Sequence, residues 1–95
     1  MITREKVVEA LEQVNDPELH MNLWFLGLIY EIHINGSHVK IVMTFTTPFC
    51  PYGPALVDTV KKSVEKAGAE TAEVEIVTHP IWRPSEEVKA MLETM

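Results

Sequence analysis

The stretch LIYEIHINGSHVKIVMTF, residues 28–45, contains two runs in which apolar and polar residues alternate, one on each side of Asn35-Gly36. Asn-Gly suits the two central positions of a type I′ hairpin turn. With that turn, the predicted pairs on one face are apolar: Leu28–Met43, Tyr30–Ile41 and Ile32–Val39. The predicted pairs on the other face are Glu31–Lys40, His33–His38 and Ile29–Val42. The sequence therefore predicts an antiparallel hairpin with one face turned toward a core.

Helical periodicity lies on both sides of this hairpin. Apolar residues recur at helical spacing over residues 4–14, where Thr3 is suited to the N-cap and Pro17 prevents continuation. The same spacing recurs in ALVDTVKKSVEKAG, residues 55–68, and Gly68 is suited to end that helix. We therefore expect one helix before the hairpin and one after it.

The last third of the chain predicts one more strand and one more helix. AEVEIV, residues 72–77, alternates as a strand, and Ser85 is suited to cap a short final helix. A right-handed crossover through the preceding helix would place the third strand parallel to the second. We expect a two-layer α/β sandwich with a three-stranded mixed sheet and helices on one face, in the order α-β-β-α-β-α, and residues 1–95 as a single domain.

Composition excludes several classes of function. The chain has 95 residues and a formal net charge of −6, which argues against a general nucleic-acid binder, since such a protein needs a basic face. No apolar run approaches the roughly 18–20 residues that span a bilayer, so we expect no membrane partner. The start MITREKVVEALEQV lacks an apolar signal core, and a cytoplasmic location is expected.

The single cysteine, Cys50, lies in TTPFCPYGP, residues 46–54, between the second strand and the second helix. Backbone N–H groups and the helix dipole at such a turn lower the pKa of a thiol below its usual value of about 8.5. Pro48 and Pro51 restrict the backbone beside it. A lone cysteine is also commonly a small buried apolar residue. The placement favours a reactive thiol over a structural one.

Few helper residues are visible around this thiol. With one cysteine, a CxxC redox pair and a four-cysteine metal cage within the chain are both excluded. His79, at the end of the third strand, is a candidate additional ligand. Asp16 has two interpretations: it caps a turn that begins with Pro17, or it is a carboxylate acting on iron or on the thiol.

Four segments together resemble a known family. VNDPEL (14–19), LGLIYEI (26–32), TFTTPFCP (44–51) and HPIW (79–82) are similar to the small iron–sulfur assembly domain family, which includes SufT, the PaaD-like proteins and the cytosolic iron–sulfur targeting factors. The match runs from about Val7 to Pro84. The resemblance implies a two-layer α/β fold and a non-catalytic role in the maturation of iron–sulfur proteins.

The resemblance also implies a site. It assigns the cluster or thiol site, which is also the metal and cofactor site, to Cys50, with Asp16, Glu18, Thr46 and Thr47 around it, and it places the late aromatic of the family on Trp82. The expected cofactor is a transient iron–sulfur cluster or iron, and the expected partners are client apoproteins and assembly scaffold or carrier proteins.

The number of ligands restricts how a cluster could be held. A cluster ordinarily needs four ligands, usually cysteine thiolates, and this chain has one cysteine. A cluster must therefore lie between chains or be completed by a small thiol or by the cysteines of a client. A homodimer that pairs two Cys50 loops is the simplest way to reach two thiolates.

Two other classes of function remain open on the sequence. The first is a thiol-dependent redox protein that uses Cys50 as its nucleophile, although no resolving cysteine is present. The second is a pure protein–protein adaptor in which Cys50 is packed.

Overall fold

The computed structural model of the chain describes residues 2–17, 19–46, 52–78 and 82–93. Its helices and strands are, in chain order, α1 (Arg4–Glu12), α2 (Leu23–Leu26), β1 (Ile29–Asn35), β2 (His38–Met43), α3 (Gly53–Lys66), β3 (Thr71–Ile76) and α4 (Glu86–Glu93). The predicted order of elements is confirmed. The short helix α2 is an addition that the sequence patterns did not predict.

The sheet is three-stranded and mixed, in the order β1-β2-β3. β1 pairs with β2 in antiparallel fashion, and β2 pairs with β3 in parallel. The parallel pairing follows from the crossover through α3 and confirms the prediction, because a strand that returns through a helix enters the sheet in the same direction.

The predicted register of the hairpin was wrong by two residues. Asn35 lies opposite His38 and is the last residue of β1, so the turn residues are Gly36 and Ser37 and not Asn35-Gly36. Gly36 has φ 63° and Ser37 has no positive φ. A glycine with positive φ at the first central position alone is the type II′ pattern, whereas type I′ requires positive φ at both positions.

The shift changes partners but not faces, because side chains alternate with a period of two. Ile32 lies opposite Ile41 instead of Val39, and His33 lies opposite Lys40 instead of His38. The register shifts once more between Ile29 and Glu31, where β1 has an irregularity, so Ile29 lies opposite Met43 instead of Val42. The predicted Glu31–Lys40 and His33–His38 pairs are therefore absent from the hairpin.

The core lies between the sheet and the helices. Its fully buried residues come from the inward face of β2, from the apolar stripes of α1, α3 and α4, from α2 and from the residue before β1: Val39, Ile41, Met43, Val7, Leu11, Val60, Val64, Val88, Leu23, Leu26 and Leu28. Thr3 and Ser85 cap α1 and α4 as predicted, since their hydroxyls accept from the amides of Lys6 and Val88. Within the described ranges, no helix is long and apolar enough to cross a membrane.

Candidate functional site

The carboxyl ends of the two parallel strands meet at one edge of the sheet. β2 ends at Met43 and β3 ends at Ile76, and these two residues are register partners. The amide of Val77 donates to the carbonyl of Met43 at 2.9 Å, which extends the pairing beyond the strands. We call this end of the sheet, residues 43–46 and 76–78, the carboxyl edge. Loops at such an edge are common positions for functional residues in α/β folds.

The segment that contains the cysteine leaves from the carboxyl edge and leads to α3. Cys50 and Thr47 lie outside the described residues, whereas Thr46 is described and half-buried. α3 begins at Gly53 after Tyr52, which makes no side-chain capping hydrogen bond to the helix. The first-turn N–H groups of a helix have no partner within the helix. Residues 47–51 therefore lead from the carboxyl edge to α3, whose N-cap residue makes no side-chain capping hydrogen bond.

An aromatic contact joins the two described flanks of this segment. The ring of Phe45 packs against Gly53, so closely that a Cβ added to Gly53 would lie 2.9 Å from Cζ of the ring. Gly53 itself is buried. This contact fixes the residue that precedes Thr46 against the first residue of α3.

Asp16 lies in the loop between α1 and α2 and is 1% exposed. Its Oδ1 accepts a hydrogen bond from the amide of Leu19 at 3.0 Å. Its backbone donates to the carbonyl of Met21 at 2.9 Å and accepts from the amide of His20 at 2.8 Å. The predicted capping of a turn by Asp16 is confirmed, and its role toward iron or the thiol stays a prediction. Glu18 lies outside the described residues.

The helix α2 connects the Asp16 loop to the carboxyl edge. The amide of its first residue, Leu23, donates to the carbonyl of Val14 at 2.9 Å. At its other end, Leu28 donates to the carbonyl of Leu23 and accepts from the amide of Thr44 at 3.0 Å. Asp16 and Thr46 therefore lie on loops that one short helix holds together.

Two sequence signals could have revealed α2. Asn22 caps it, because Oδ1 of Asn22 accepts from the amide of Phe25 at 2.7 Å. Gly27, with φ 76°, ends it in a left-handed conformation. The amides of Gly27 and Leu28 return to the carbonyls of Trp24 and Leu23, as in a Schellman motif. An Asn cap and a terminating Gly around LWFL are the pattern that the sequence reasoning missed.

Trp82 adds a contact from the segment that follows β3. Its indole Nε1 donates to the carbonyl of Leu26 at 2.6 Å. Leu26 is the last residue of α2, and carbonyls at a helix end have no partner within the helix. His79, predicted as an additional ligand, lies outside the described residues.

The histidines of the hairpin belong to a different surface. Nε2 of His33 lies 2.9 Å from Oε1 of Glu31, and Nδ1 of His38 lies 2.6 Å from Oγ1 of Thr71. These residues are on the open face of the sheet, toward its opposite end. In the described ranges, no group of three or more His, Cys, Asp or Glu residues could hold a metal ion. The described residues therefore offer no complete ligand set on either surface.

Comparison with known proteins identifies relatives of this chain. Residues 4–76 match the sequence model of a family described as iron–sulfur cluster assembly protein. The match includes the Asp16 loop, the hairpin, the cysteine segment and all three strands.

Individual relatives carry related descriptions. The chain is 40% identical over 81 residues to the Fe-S protein maturation auxiliary factor YitW of Bacillus subtilis, covering 83% of this chain and 79% of that protein. It is 35% identical over 77 residues to an iron-sulfur cluster carrier protein of Synechocystis, covering 80% of this chain but 22% of that protein. A crystal structure of a domain of unknown function, DUF59, from Bacillus anthracis is similar with a TM-score of 0.87 and 31% identity, over 96% of this chain and 92% of that one.

Proposed function

The chain belongs to the iron–sulfur cluster assembly protein family, and from this premise we propose that it is a non-catalytic accessory factor in the cytoplasm. It helps to assemble iron–sulfur clusters or to deliver them to client apoproteins. The observation that carries the proposal is the family match over residues 4–76, which contains the single cysteine. A relative described as a maturation auxiliary factor and another described as a cluster carrier support it.

The proposed site is centred on Cys50. It is the only thiol of the chain, and its segment joins Thr46 at the carboxyl edge to Tyr52 before α3. Thiolates are the usual protein ligands of iron–sulfur clusters, and a helix start favours the thiolate over the thiol. The carboxylates and hydroxyls of Asp16, Glu18, Thr46 and Thr47, with His79, are proposed to surround it.

The cluster is cargo that this chain shares with another chain. One cysteine cannot supply the usual four ligands, and in the described ranges no group of three or more His, Cys, Asp or Glu residues could hold a metal ion. The remaining ligands must come from a second copy, a client, a carrier or scaffold protein, or a small thiol. A homodimer that pairs two Cys50 loops is the simplest such arrangement, and transfer then requires only exchange of ligands between chains.

Anaerobic reconstitution with iron and sulfide tests the proposal. We expect visible absorption of an iron–sulfur cluster and, by native mass spectrometry, one cluster bridging two chains. The matched control is Cys50→Ser, because the hydroxyl of Ser stays protonated near neutral pH and is a poor iron ligand. Equal iron and sulfide content in the parent and in Cys50→Ser would contradict a cysteine-held cluster. Turnover of peroxide or of a disulfide would favour a thiol enzyme instead.

A further inference from the structure

Trp82 belongs to a series of three hydrogen bonds at the carboxyl edge. Its indole bonds to the carbonyl of Leu26 at 2.6 Å, and Leu28, two residues later, accepts from the amide of Thr44 at 3.0 Å. Thr44 follows Met43, whose carbonyl accepts from Val77, the residue after β3. Three hydrogen bonds therefore connect Trp82 to the end of α2, α2 to the end of β2, and the end of β2 to the end of β3.

This series of hydrogen bonds has a short connection to the cysteine segment. One residue, Gly27, separates Leu26 from Leu28, and one, Phe45, separates Thr44 from Thr46, the last described residue before that segment. Thr44 is 6% exposed, so its neighbours leave little room for displacement. The end of α2 is therefore connected to Thr46 through the hydrogen bond from Thr44 to Leu28 and two residue-to-residue steps of the chain on each side of it.

We propose that Trp82 is a positioning residue for the end of β2 and for residues 44–46 that follow it, an inference that rests on the proposed function. The indole N–H holds the end of α2 in place, and α2 holds the end of β2 through Leu28 and Thr44. Trp82 thereby sets the geometry of the strand end from which the cysteine segment departs.

The chain offers a matched control for testing this. Trp24 lies on α2 itself, half-buried, and its ring centroid is 5.9 Å from Cζ of Arg4 on α1. Trp82→Phe and Trp24→Phe are therefore the same chemical change, made once at a residue that bonds to the end of α2 and once within α2. Only Trp82→Phe removes the hydrogen bond to Leu26.

Two measurements are made on each variant, with Cys50→Ser as a third arm. The first is amide hydrogen exchange of Thr44 in the purified chain. The second is the activity of an iron–sulfur client enzyme in cells that lack the native factor. We expect Trp82→Phe to accelerate exchange at Thr44 roughly fivefold, the effect of losing one hydrogen bond of typical strength, and to lose at least half of client activity. Trp24→Phe should keep both near the parent values.

Each result of these measurements either supports the proposal or overturns it. Parental exchange at Thr44 in Trp82→Phe overturns it, as does accelerated exchange with full client activity or an equal effect of Trp24→Phe. If Trp82→Phe fails to fold, the Trp24→Phe chain is labelled with β-(3-benzothienyl)alanine, which keeps the ring shape of Trp82 without the N–H. Full client activity of Cys50→Ser identifies failure of the proposed function itself, and the positioning role then fails with it.

Discussion

The ring of Phe45 lies against the backbone of Gly53, and a Cβ at Gly53 would lie 2.9 Å from Cζ and 3.1 Å from Cε2 of that ring. Phe45 follows the end of β2, and Gly53 is the first residue of α3. Since the cysteine segment connects these two elements, the contact fixes the distance that the segment must bridge.

Gly53→Ala is expected to lower the free energy of unfolding by about 1–2 kcal/mol, because overpacking of a well-packed contact costs roughly 1–3 kcal/mol and exceeds the gain in helix propensity. Urea denaturation measures this. In a Phe45→Leu background the ring is absent, and the same Gly53→Ala change should cost less. Equal costs in the two backgrounds would show that the contact does not constrain Gly53.

Gly36→Val is expected to destabilise the fold by about 1–2 kcal/mol, since a side chain with Cβ resists the left-handed region that Gly36 occupies at φ 63°. Asn35→Val is the control. Asn35 is a strand residue opposite His38, so the control should stay within about 0.5 kcal/mol of the parent in urea denaturation, as ordinary surface substitutions do. A large loss in Asn35→Val would indicate that the turn includes Asn35 after all.

Two substitutions at Asp16 separate the effect of its capping hydrogen bond from the effect of its charge. Asp16→Ala removes the acceptor for the amide of Leu19 and should cost about 0.5–2 kcal/mol, the usual value of such a cap. Asp16→Asn keeps an acceptor oxygen and removes the charge, so we expect near-parental melting with partly impaired client maturation. Parental maturation in Asp16→Asn would leave Asp16 with the capping role alone.

Much of the fold could be predicted because its signals are local. The periodicity of α1 and α3, the caps at Thr3 and Ser85, and the crossover that makes β3 parallel all follow from residues near one another in sequence. The hairpin register could not be fixed in this way. Asn35-Gly36 and Gly36-Ser37 both suit a two-residue turn, and a shift of two residues keeps Ile32, Val39 and Ile41 on the same face.

The candidate site could be predicted only in part. The cap geometry of Asp16 was visible in the sequence, because Asp followed by Pro is a common turn start. The hydrogen bond from Trp82 to Leu26 was not visible in the sequence. It joins residues 56 positions apart, and Leu26 belongs to a helix of only four residues. Such contacts depend on tertiary packing, for which a single sequence carries no local pattern.

The central claim is that Cys50 handles an iron–sulfur cluster for client proteins, and client activity with Cys50→Ser tests it most directly. The activity of an iron–sulfur enzyme is measured in cells that lack the native factor and express either the parent chain or Cys50→Ser. Circular dichroism of each purified chain serves as the folding control. The account predicts unchanged melting and client activity no higher than without the factor. Full client activity with Cys50→Ser would contradict it and leave a protein–protein adaptor.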